Sequence, residues 1–160
     1  MIKIISLSIL LLITILYNGI IFIKHKKIPE SLSETAYIMG GTKRYFFTLY
    51  TICIVGFLIP FLFTYTNDNW MFLPFLFCGG ILFAGFSPLF KEGIEKDVHY
   101  ASAILSFLIF LLYMIFYMGW QWMIGYIIMF ILSFLWKKEK IVYLAEMIAL
   151  IELIIWLYIQ

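Results

Sequence analysis

Six long apolar runs, separated by short polar breaks, take up almost the whole chain. A helix needs about 20 mostly apolar residues to cross a bilayer. The runs at about 4–23, 45–65, 70–90, 98–118, 120–136 and 141–159 reach or approach that length. Composition gives the same answer. The 160 residues are 65% hydrophobic and 12% charged, against about 45–50% and about 25% in an ordinary soluble domain. A water-soluble fold of this size has no means of hiding so much apolar surface, so lipid must be its solvent. The sequence therefore predicts an all-α, polytopic transmembrane bundle as one domain over 1–160, with no soluble domain, linker or internal repeat.

The first run is too long for a signal-peptide core and has no A-x-A cleavage site. Lys24, His25, Lys26 and Lys27 stop it, so it is expected to stay as an anchor. The connection that follows, 24–44, is the longest in the chain. Within it, Ser31-Leu-Ser-Glu34 fits a capping box, predicting a short amphipathic helix over about 32–39 on the membrane surface. Gly40-Gly41 would end it. Pro60 falls inside the second run, where neighbouring helices can satisfy the freed backbone groups. The turn between runs four and five is so tight that a five-span reading, with that region merged or half-inserted, is the alternative to six.

Orientation follows from Lys and Arg near the span ends. Lys24, Lys26, Lys27, Lys43 and Arg44 lie in the first connection, Lys91 and Lys96 in the third, and Lys137, Lys138 and Lys140 in the fifth. Of 11 basic residues, only Lys3 lies elsewhere. With six spans these connections share one side, expected to be the cytoplasm, and both termini lie outside. A cell-membrane (inner-membrane) location follows from that assignment. Trp70, Trp120, Trp122, Trp156 and Tyr158 would ring the outer interface, and Tyr45, Tyr100, Trp136 and Tyr143 the inner one, because amphipathic rings favour the headgroup level.

Glu146 and Glu152 are the most unusual residues, since both lie inside the sixth run. Glu152 falls ~16 Å along that helix, at about 1.5 Å per residue, near the bilayer centre. A charge there costs about 2.5–3.5 kcal/mol on insertion scales, and such residues face a bundle interior or a wet cavity. The two project about 120° apart on a helix, so they are not a ready carboxylate pair. A structural hydrogen bond from Glu152 to Asn18, Thr14, Ser102 or Ser106 is one reading, and a proton carrier or ligand contact is the other. Glu146 lies nearer the basic side and is placed to snorkel.

Other chemistry is sparse. Glu95 and His99 stand at i and i+4 if the fourth helix starts early, with Glu92 three residues before Glu95 and Asp97 between them. These residue types can bind a metal, but a solvated, mixed-charge loop with His99 at the headgroup level is the simpler reading. No HExxH, Cys/His, Walker or dinucleotide-glycine motif is present, and Ala84-Gly-Phe-Ser-Pro88 is not a nucleophile elbow. No cofactor is called for. Cys53 and Cys78 form no CxxC and read as packing residues. Gly80 and Ala84 have small-xxx-small spacing, which lets helices approach closely. Packing within the chain, a face for a homo-oligomer, and a slot for a lipid chain all use that feature. The basic first connection suits anionic headgroups, each Lys or Arg contributing about 1 kcal/mol, although topogenesis also accounts for it. The loops are too short for a nucleic-acid interface.

Three segments carry a resemblance: Ser31-Leu-Ser33 with Tyr37 and Lys43-Arg-Tyr-Phe-Phe47, then Gly79-Gly-Ile-Leu-Phe-Ala-Gly-Phe-Ser-Pro88, then Val98-His-Tyr-Ala-Ser-Ala103. Over about 29–110 the chain resembles a group of uncharacterised six-span membrane proteins related to the Frag/DRAM/Sfk-like family. The resemblance implies six spans and marks Ser31, Ser33 and His99; it implies no known reaction. A histidine heading a span is also similar to membrane hydrolases of the alkaline-ceramidase type. Those use several histidines around zinc, including an HxxxH pair, and here only His25 and His99 exist.

The leading functional expectation is a non-enzymatic membrane protein that binds lipid or partner helices between its spans. A small proton-coupled transporter or channel using Glu152 is the second. A metal-dependent lipid hydrolase at the cytoplasmic face, using His99 with Glu92, Glu95 or Asp97, is the third.

Overall fold

The computed structural model describes residues 2–89, 95–136 and 138–160. Among them helix is the only regular secondary structure: α1 (Ile2–His25), α2 (Glu34–Met39), α3 (Tyr45–Tyr65), α4 (Phe72–Phe86), α5 (Glu95–Tyr113), α6 (Trp120–Trp136) and α7 (Ile141–Ile159). Helices are the expected form, because a hydrocarbon solvent offers backbone groups no partner outside the chain. Among the described residues five segments are long and apolar enough to cross a bilayer: Ile2–His25, Gly41–Tyr65, Asp68–Phe86, Asp97–Met118 and Ile141–Ile159. The sixth, α6, is also apolar but has 17 residues, about 25 Å at 1.5 Å per residue.

The expected runs coincide with α3, α6 and α7 at both ends. The third starts later than expected, because Asp68–Trp70 form a 3-10 turn before α4, and a second such turn, Ser87–Leu89, follows it. The tight connection between the fourth and fifth runs is made by Gly119 alone. A π-helical turn, Met114–Met118, ends the α5 segment, and the Gly119 amide donates to Met114 O at 2.9 Å. Gly119 has φ +94°, a conformation that side chains resist and glycine adopts freely. The chain then reverses, so that Tyr126 of α6 packs edge-on against Phe110 of α5, with ring centroids 6.1 Å apart.

Contacts between the ends confirm an up-and-down order. Lys3 Nζ of α1 donates to Tyr65 Oη at the end of α3 (3.1 Å), and Tyr158 of α7 hydrogen-bonds Ser8. Trp70 stacks on Phe116 at 4.9 Å. At the opposite end Lys140 pairs with Glu30 at 3.3 Å, and the Tyr143 amide donates to Glu30 O at 2.9 Å. Both termini thus share one end with the connections at 66–71 and 119, and the described residues of the first and fifth connections, Glu30 and Lys140 among them, share the other. The six long helices run alternately between the two ends.

The dry core fills the end that carries the termini. Leu7 and Leu10 of α1, Leu58 and Leu62 of α3, Leu73 of α4, Met114, and Leu153 and Leu157 of α7 are all buried there. Trp156, expected at the outer interface, is part of this core and meets Tyr65 and Tyr113 edge-on at 6.0 and 5.8 Å. Its position on α7 aims it inward, so it anchors helices to one another rather than to headgroups. Large apolar side chains such as Leu12, Phe75, Ile131 and Leu135 stay exposed around the outside, the inverse of a water-soluble surface.

Candidate functional site

Two glycines of α4 set the spacing on one side of the bundle. A Cβ at Gly80 would overlap the Ser106 hydroxyl and lie 3.0 Å from the Ser102 carbonyl of α5; a Cβ at Gly85 would overlap Thr51 of α3. Gly79, one residue away from Gly80, has open space where its Cβ would go. The small-residue face is thus divided: Gly80 packs on α5, Gly85 on α3. Thr48 of α3 also donates to Gly85 O at 2.8 Å. Close packing of α3, α4 and α5 is the result.

α7 is held differently. It meets α5 at the Tyr113–Trp156 contact near the termini. Toward the basic end Ser106 and Ile104 of α5 and Ala145 and Ala149 of α7 line opposite walls of a cavity of about 1000 Å³. Ligand pockets span about 300–1,000 Å³, so this one lies at the upper end. Its depth is apolar, with Ile54, Phe77, Ile81, Phe107, Phe110 and Leu150 in its walls. Its rim residues Ile104 and Val142 are 59% and 53% exposed, so it opens sideways, toward the space lipid occupies.

Polar groups gather at the basic end of the cavity: Ser31, Ser33, Glu34, Glu146 and His99 all line it. Four of the residues singled out from the sequence, Ser31, Ser33, Glu146 and His99, are therefore neighbours of one space. The connection 24–44 brings the serines there. The serine half of the expected capping box forms, with the Glu34 amide donating to Ser31 Oγ at 3.1 Å. The glutamate half reaches one residue further back, to the Glu30 amide, and Glu34 also pairs with Lys27 at 3.2 Å. Ser31 and Ser33 hydroxyls lie 2.9 Å apart.

The short helix forms over Glu34–Met39 and packs against the bundle. Thr35 and Ala36 of α2 are fully buried. Tyr17 of α1 hydrogen-bonds Thr35 at 2.6 Å and stacks on Tyr50 of α3 at 4.2 Å. Glu146 closes the arrangement, its Oε2 accepting the Leu32 amide at 2.6 Å. That carboxylate turns inward, where snorkelling was expected. Beside it Tyr143 donates to Asn18 Oδ1 at 2.8 Å, and Asn18 Nδ2 donates to Thr14 O at 2.8 Å. Sequence reasoning missed this α1–α7 link; Asn18 inside an apolar run was its only visible signal.

His99 is held by α4. The Ser87 hydroxyl donates to Ala84 O at 2.8 Å and lies 2.9 Å from His99 Nδ1. Ser87 is fully buried and does not border the cavity, so this serine–histidine pair positions the ring and presents no nucleophile to a ligand. Among the described residues no three His, Cys, Asp or Glu side chains converge on a metal-sized space. Glu92 lies outside the described residues, as does the side chain of Glu95; Asp97 is exposed.

Glu152 stands apart from the cavity. Its Oε1 faces Gly125 of α6, 3.3 Å from where a Cβ would be, and its Oε2 is buried with no hydrogen-bond partner. The partners expected for it are engaged elsewhere. Asn18 bonds Thr14 and Tyr143, Ser102 bonds Val98 O at 2.6 Å, and Ser106 bonds Ser102 O at 2.8 Å. Tyr126 Oη of α6 is likewise buried and unpaired.

These features define a multi-pass membrane helical bundle with a laterally open internal cavity. No family model, curated protein or solved structure matches the chain.

Proposed function

We propose that this chain is a non-enzymatic membrane protein that holds a lipid in the cavity between α5 and α7, with its basic end in the cytoplasm. The observation that carries this reading is the cavity itself: about 1000 Å³, apolar in depth, polar at the basic end. A lipid's acyl portion matches the phenylalanine and isoleucine walls, and its polar end matches the groups around Ser31 and Glu146. The sideways opening lets such a molecule enter from the bilayer without crossing water. The cytoplasmic assignment follows the positive-inside rule.

Native mass spectrometry of the chain in mild detergent tests the proposal. One co-purifying lipid per chain is expected, lost when Ala149→Trp fills the cavity. A chain free of lipid in every mild detergent tried would overturn it.

A second reading, proton-coupled transport through Glu152, rests on the buried, unpaired Oε2. Flux in reconstituted vesicles that disappears in Glu152→Gln supports it; flux retained in that variant removes it.

A further inference from the structure

We propose that the polar end of the bound lipid is a hydrogen-bond donor, a hydroxyl or an ammonium, rather than an anionic group. The proposal rests on the lipid-binding reading above and adds the chemistry of the headgroup. Three carboxylates border the polar end of the cavity: Glu30, Glu34 and Glu146. Two of them have counter-ions, Glu30 with Lys140 and Glu34 with Lys27. Glu146 has no cationic partner among the described residues. Its Oε2 takes the Leu32 amide, and its other oxygen makes no hydrogen bond there. Among the described residues, no lysine or arginine lines the cavity.

An ionised carboxylate only accepts hydrogen bonds. A ligand that reaches Glu146 in its ionised form therefore has to bring the proton, as an alcohol or an ammonium does. An anionic end group beside Glu146 would meet a carboxylate that no described cation neutralises, and like charges at short range repel. The lysines and arginine of the connection 24–44 do not change this, because none lines the cavity. Lys27 is taken up by Glu34 at 3.2 Å, and the Arg44 guanidinium lies over the Tyr37 ring, 5.7 Å from its centroid. Ser31 and Ser33 add hydroxyls that bond each other and can each turn toward a ligand hydroxyl. Ammonium and hydroxyl ends share the donor chemistry, and the variant below separates them.

The test is native mass spectrometry of the intact chain at mildly alkaline pH, titrated with hexadecylamine, the monoglyceride of palmitic acid, and palmitate, which share chain length. The amine and the monoglyceride are expected to bind at least about tenfold more tightly than palmitate, roughly the size of one well-placed polar contact. Glu146→Gln keeps an acceptor for the Leu32 amide but replaces the charge. In it palmitate is expected to gain about tenfold, the amine to lose a similar factor and the monoglyceride to change little. Palmitate binding as tightly as the others in the unaltered chain would overturn the headgroup inference. If that happens while Ala149→Trp abolishes binding of all three, the cavity reading survives alone. If no probe binds, or if Ala149→Trp leaves all binding intact, the cavity reading itself fails, and this inference fails with it.

Discussion

Glu146 and Leu32 are 114 positions apart in the chain and joined by a hydrogen bond of 2.6 Å, from the Leu32 amide to the Glu146 carboxylate. The bond fastens the connection 24–44 to α7 and turns what would be a surface loop into one wall of the cavity. Hydrogen bonds to charged groups contribute about 1.5–3 kcal/mol. Glu146→Ala should therefore destabilise the chain by an amount in that range. It should also raise amide exchange over 30–36 with little change in α3. Glu146→Gln should retain most of the protection. Equal exchange in Ala and Gln variants would show that the bond does not hold the connection.

Gly80 and Gly85 separate from Gly79 by what a side chain would meet. Gly80→Val drives methyl groups into Ser106 and toward the Ser102 backbone, and Gly85→Val drives them into Thr51. Overpacking of this kind costs about 1–3 kcal/mol. Both should lower the thermal midpoint in detergent, while Gly79→Ala, which meets nothing within 4 Å, should leave it unchanged. A loss of stability in Gly79→Ala matching that in the other two would mean that the α4 packing described above is wrong.

Glu152 carries a buried oxygen without a partner. A buried polar group left unsatisfied costs about 1–3 kcal/mol. If Glu152 serves only packing, Glu152→Met should stabilise the chain, or leave its melting temperature unchanged, with lipid retention intact. A marked drop in stability would indicate that the carboxyl group has a partner or a bound water that matters to the fold.

Topology gives a further test. In a background with Cys53 and Cys78 replaced by Ala, single cysteines at Asn69 and Gln160 should react with an impermeant thiol reagent from outside intact cells. A cysteine at Lys26 should react only after lysis. A chain in which α6 fails to cross would place Gln160 opposite to Asn69, so labelling of those two on different sides would exclude six crossings.

The local features of the bundle were legible in the sequence. Apolar runs predicted α3, α6 and α7 to the residue, and the Lys and Arg pattern put the first and fifth connections at one end, where Lys140 pairs with Glu30. Lipid makes this possible: a run long enough to cross it must satisfy its backbone within itself, so each span is determined by its own residues. Ser31 and Glu34 likewise announced a helix start through a contact three residues long.

What no local pattern could supply was the rotation of each helix about its axis. In water an apolar stripe on a polar helix points to the core. Here lipid-facing and core-facing sides are both apolar, and that compass is missing. Tertiary packing alone decided that Trp156 turns inward, that Gly80 meets Ser106 while Gly85 meets Thr51, and that α2 docks under Tyr17. It also decided that Glu146 reaches Leu32 while Glu152 finds no partner. The cavity is a product of the same choice. It exists because α5 and α7 touch at Tyr113 and Trp156 and part toward the basic end, a relation between helices that neither one encodes by itself.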